Sequence, residues 1–139
     1  MPITINGSGT VTGISAGGLP DACITTDDLA ANAASGLAKA WVNFNGTGTV
    51  AIRASFNVSS ITDNGTGDYT VNVTTALADV NYSMNVSCSY RSGNYNSAHI
   101  FTNASGNIVA PTTTAARVQL STVTLGSGDS EYVNVSIFR

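Results

Sequence analysis

The chain has 139 residues and a formal net charge of −3, with 42% hydrophobic but only 9% charged residues. Five Lys and Arg cannot supply the clustered cations that neutralise phosphates, which excludes a nucleic-acid binder. No run approaches the roughly 20 apolar residues of a membrane-spanning helix, and the Glu/Lys/Leu/Arg mixture of a helical bundle is missing.

Residues 1–37 read as an N-terminal docking and oligomerisation segment. Ile3, Ile5, Val11, Ile14 and Leu19 stand singly among Gly and Ser. That spacing predicts extended chain with too few large side chains for a core of its own. The opening Met1-Pro2-Ile3-Thr4-Ile5-Asn6 carries neither a basic start nor an apolar run of signal-peptide length, so a soluble chain made in a cytoplasm is expected. One short helix is predicted next. Thr25 or Thr26 caps it, Asp27 and Asp28 favour its N-terminal dipole, alanines fill it and Gly36 stops it. Leu29, Ala33 and Leu37 lie along one stripe, too narrow to hold the helix alone and suited to contact with the same chain's sheet or with other copies.

From Ala38 the period changes to two. Strands are predicted over 39–44, 49–56, 58–62, 69–74, 82–90, 99–102, 116–124 and the last residues. Turn signals separate them, including Asn45-Gly46-Thr47-Gly48, Asp63-Asn64-Gly65-Thr66-Gly67-Asp68 and Gly126-Ser127-Gly128-Asp129. Tyr82, Met84, Val86, Cys88 and Tyr90 alternate with polar residues, and Val118, Leu120, Val133, Val135 and Ile137 point inward. The 40 Thr, Val and Ile residues favour sheet. The predicted fold is all-β: an antiparallel β-sandwich of about seven to eight short strands over 38–139.

The outward positions carry Asn, Ser and Thr where most soluble sheets carry Lys, Glu and Arg. Such a surface gives sheet edges little charge protection and copies little mutual repulsion. It predicts a symmetric homo-oligomer held through residues 1–37, with Leu29, Ala33 and Leu37 as contacts and Trp41 as a core residue or a further contact. Nine Asn-x-Ser/Thr triplets occur, and a chain this rich in Asn, Ser and Thr produces them by composition. Cys23 and Cys88 read as free thiols, Cys88 as a small core hydrophobe.

Catalysis is not expected. The single His, His99, has no nucleophile motif beside it, and the eight carboxylates fall mostly in turns and caps. No cofactor or metal is expected either: the 63–68 turn offers oxygen ligands but lacks the length and bidentate Glu of a calcium loop. The richest segment is Tyr90-Arg91-Ser92-Gly93-Asn94-Tyr95-Asn96-Ser97-Ala98-His99, read as a loop between strands. Flat rings stack on sugar faces, while Asn, Arg and His supply directed hydrogen bonds. Tyr90, Arg91, Asn94, Tyr95, Asn96 and His99 are therefore the candidate receptor contacts.

The run Lys39-Ala40-Trp41-Val42-Asn43-Phe44-Asn45-Gly46-Thr47-Gly48, continuing through Ile52-Arg53 and Ser55 to Tyr69, resembles a signature of tail-fibre and related structural proteins of tailed bacteriophages. Ile5-Asn6-Gly7-Ser8-Gly9-Thr10-Val11-Thr12-Gly13 resembles the segment that often precedes it, and Cys23 stands where Gly or Ser is the rule. The resemblance covers about residues 3–90 and implies a virion component, trimeric, joined to another virion protein through residues 1–37. It names no catalytic residue. The expected function is that of a tail-fibre or fibre-tip subunit attaching the particle to a host surface polysaccharide. The alternative is a capsid, baseplate or tail decoration subunit with a purely structural role.

Overall fold

A computed structural model describes residues 4–5, 11–12, 36–89, 96–122 and 126–139, and the chain divides into two units, Met1–Ala34 and Ser35–Arg139. In the first unit β1 (Thr4–Ile5) pairs antiparallel with β2 (Val11–Thr12), Thr4 opposite Thr12 and Ile5 opposite Val11. Apart from Gly36 and Leu37, which lie in a turn, the predicted helix with Leu29 and Ala33 falls outside the described residues.

The second unit contains two antiparallel sheets. One runs in the order β4 (Ala51–Phe56), β3 (Ala38–Asn45), β11 (Val133–Phe138), β7 (Ser83–Cys88). In the other, β9 (Ala115–Thr122) is central. β8 (Asn96–Ile100) flanks one edge, β6 (Asp68–Val73) and the short β10 (Gly126–Ser127) share the other, and β5 (Val58–Gly65) pairs with β6. No helix occurs among the described residues, and so none that could cross a membrane.

Strict alternation builds the core. Ala40, Val42 and Phe44 of β3 and Val133, Val135 and Ile137 of β11 face inward from one sheet. Tyr69, Val71 and Val73 of β6 and Ala116, Val118 and Leu120 of β9 face inward from the other, and all belong to one hydrophobic cluster. Each large side chain so buried contributes about 1.5–3 kcal/mol. Phe44 meets Tyr69 edge-on at 5.2 Å between ring centroids, and Tyr82 meets Phe101 likewise at 5.8 Å.

The strand inventory differs from the sequence reading in two places. The described residues of the unit form nine strands, because Gly126–Ser127, read as turn, pairs with Ser121 and Thr122. Asn96 to His99, read as loop, forms β8, whose backbone completes the free side of β9 with Asn96 opposite Thr122 and His99 opposite Gln119. Polar edge residues give no periodic signal, so the pairing is visible only once β9 is in place.

Edge protection also takes a form that composition does not show. Along β4, Arg53 is an extra residue between Ala54 opposite Asn43 and Ile52 opposite Phe44. Along β5, Ser59 and Asn64 are extra in the same way. These bulges interrupt the open edges and hinder strand-to-strand association, which charges do in other proteins.

One end of the unit is tied by a polar clasp. The fully buried Tyr69 directs its hydroxyl to both Asp129 Oδ1 and the Gly46 carbonyl, 2.7 Å from each. Asp129 Oδ1 also accepts from the Gly67 N–H at 2.7 Å, and the Gly46 N–H donates to the Ser130 carbonyl at 2.9 Å. Three connections, β3–β4, β5–β6 and β10–β11, thus meet at one phenol. Gly67 has φ +66°, and a Cβ there would lie 2.4 Å from the Leu120 carbonyl oxygen. Only glycine fits.

Candidate functional site

Tyr90, Arg91, Asn94 and Tyr95 lie outside the described residues, as does the side chain of Asn96. His99 sits on the outward side of β8 and shares a hydrogen bond with Ser121 of β9, Nε2 to Oγ 3.0 Å. Beside it on β9, the Gln119 amide donates to Ser127 Oγ at 3.4 Å.

The 63–68 turn does not bring its carboxylates together on one ligand position. Asp63 accepts from the Gly65 N–H at 2.9 Å, a local turn contact. Asp68 is buried against Arg117, whose Nη2 donates to Asp68 Oδ2 at 3.0 Å, and the Ala104 N–H donates to the same oxygen at 2.8 Å. The Asp68 carboxylate, through its hydrogen bond, raises the Arg117 guanidinium above its ordinary range. Among the described residues no three of His, Cys, Asp and Glu form a group able to hold a metal ion.

A cleft of about 210 Å³ lies between Lys39, Asn57, the 75–78 segment and Arg139. Its hydrogen-bonding groups serve the fold. Asn57, at φ +54°, donates to the Lys39 and Thr75 carbonyls and accepts from the Thr75 N–H. Arg139 is paired with Asp79, and this pairing keeps the Asp79 carboxyl below its usual range. Cys88 is a free, half-buried thiol, and burial raises it above the ordinary thiol range.

The outer face of the four-stranded sheet is different. Trp41 follows Ala40 and precedes Val42, both inward, so alternation turns the indole outward, where it stays 39% exposed. It is therefore not a core residue. Phe56 of β4 stands directly opposite it and is 54% exposed; Leu37, just before β3, is exposed as well. Across the sheet this row reads Phe56, Trp41, Ser136, Asn85, and the next reads Ala54, Asn43, Asn134, Ser87. Neither row contains an ionisable side chain. Asn43 donates to Asn134 Oδ1 at 2.6 Å. At the far end Arg53 lies 4.1 Å above the centre of the Tyr132 ring and is ion-paired with Glu131 at 3.8 Å.

The sequence reading marked Trp41 and Leu37 but missed Phe56. For Trp41 the signal is local: in Ala40-Trp41-Val42-Asn43-Phe44, one apolar residue breaks the alternation, whereas the place of Phe56 depends on the register of β4 against β3. An apolar residue out of phase on a strand must face away from the core.

No protein-family model matches this sequence, and neither curated proteins nor solved structures yield a match.

Proposed function

We propose that the protein is a structural subunit of a bacteriophage virion, a tail-fibre or fibre-tip component that attaches the particle to a host surface glycan without chemistry. It works as a homotrimer assembled and docked through residues 1–37. The observation that supports this reading is the exterior of the two sheets. Asn43, Asn85, Asn134 and Ser136 occupy one, and Ser60, Thr62, Thr70 and Asn72 the other, where ionic side chains would ordinarily stand. Hydroxyl and amide surfaces bind sugars without needing charge. Many such weak sites on one particle gain avidity together, so no single tight site is required. The Trp-Val-Asn-Phe-Asn-Gly block that carries the resemblance forms β3 and its following turn.

The test has two parts. Averaged electron micrographs of the parent particle, with this subunit labelled, are expected to place it at the tail extremity. Mass photometry at micromolar concentration is expected to give a mass of three chains. Label over the capsid or tail body removes the attachment role and favours decoration. A monomer in solution removes the trimer.

A further inference from the structure

We propose that the outer face of the four-stranded sheet is a stacking platform for a neutral polysaccharide, with Trp41 and Phe56 as the rings and Asn43, Asn85, Asn134 and Ser136 as hydrogen-bonding partners. The inference rests on the attachment reading above and gives it a site and a ligand class.

Three features carry it. First, the two large apolar side chains of the central rows are aromatic and stand opposite one another on adjacent strands, whose backbones run about 4.8 Å apart. Rings present a flat, polarisable surface that C–H-bearing sugar faces can cover. Second, the polar groups around them are unspent. Among the described residues the side chains of Asn85, Ser87 and Ser136 make no hydrogen bond within the chain, and Asn43 and Asn134 make only the one between them. On the other sheet the same residue types satisfy each other: Asn64 donates to Thr70 Oγ1, and Asn72 donates to Ser60 Oγ and Thr62 Oγ1. Third, the face carries no ionisable group in its central rows, and Arg53, at one end, is matched by Glu131 and Tyr132. A charged glycan would find no counter-ion there, so the matching ligand is uncharged.

A second copy of the chain fits the face less well. Interface centres combine aromatic anchors with aliphatic packing and few unpaired amides. The central rows hold no Leu, Ile, Val or Met, and Ala54 is their only aliphatic side chain.

Trp41 is the only tryptophan in the chain, so its emission reports directly on the face. The full-length protein is titrated with gluco-, manno- and galacto-oligosaccharides of six units, with heparin as the acidic comparison. Saturable change with a neutral oligosaccharide and none with heparin is expected. Phe56→Ala and Asn85→Ala then weaken binding, Phe56→Ala by roughly tenfold, about 1.4 kcal/mol, and circular dichroism confirms that both variants are folded. Attachment of labelled protein to host cells is measured in parallel with Trp41→Ala. Emission unmoved by every neutral oligosaccharide, with attachment intact in Trp41→Ala, overturns the platform and leaves the attachment reading standing. Absence of attachment by the unaltered protein overturns that reading and the platform with it. Emission that follows protein concentration and oligomer mass instead of sugar assigns the face to contact between copies and overturns the proposal.

Discussion

Replacing Tyr69 by Phe removes one oxygen from the most enclosed point of the fold and leaves its ring packing against Phe44 in place. The hydroxyl donates toward a carboxylate, and such a hydrogen bond contributes about 1.5–3 kcal/mol. The hydroxyl's single proton is shared between Asp129 Oδ1 and the buried Gly46 carbonyl, which both lose it, so a destabilisation of about 2–3 kcal/mol is expected. A domain of this size is held by only about 5–15 kcal/mol, and the change corresponds to a fall in melting temperature of roughly 10–15 °C. Urea titration at pH 7 measures it as a lower midpoint at constant slope. The pH dependence gives a second reading. Burial first, then the Asp129 hydrogen bond, pushes the Tyr69 phenol well above its usual range. Above about pH 10 the phenol ionises in the unfolded chain but stays protonated in the folded one. The unfolded state then binds fewer protons, and stability falls as pH rises. Tyr69→Phe lacks this contribution, so its deficit relative to the unaltered protein narrows from pH 10 upward. A loss below about 0.5 kcal/mol at pH 7, or a deficit that widens above pH 10, would refute the clasp as a source of stability.

Arg117→Met leaves the Asp68 carboxylate buried without its cation and is expected to cost about 3–5 kcal/mol by urea titration, whereas adding Asp68→Leu recovers part of the loss. Recovery stays incomplete because the Ala104 N–H then lacks its acceptor. Gly67→Ala forces a Cβ into the Leu120 carbonyl and the Gly128 backbone at a left-handed position, so a cost of about 3 kcal/mol or more is expected in the same assay. Cys88, half-buried and raised by burial, is expected to resist alkylation at pH 7.5 in the native Cys23→Ser protein and to react at an ordinary thiol rate in 6 M guanidinium. Rapid native labelling would contradict its packing against the core.

Local alternation determined which strands form and which way most of them face. Val133, Val135 and Ile137 read as inward from spacing alone and are inward, as are Val118 and Leu120. The period of two is a property of the extended backbone itself, so it is written in the order of residues. Tertiary structure decided what alternation cannot encode. Asn96 to His99 became a strand because β9 offered an unpaired edge, and Asp68 became half of a buried ion pair because β9 brought Arg117 beside it. The bulges at Arg53, Ser59 and Asn64 depend on matching strands of unequal local count. Trp41 shows both levels at once: its phase in β3 turned it outward, but its pairing with Phe56 arose only when β4 folded back. Hydrogen-bond partners across a sheet are separated by tens of residues in the chain, and which ones meet is settled by the closing of the whole core.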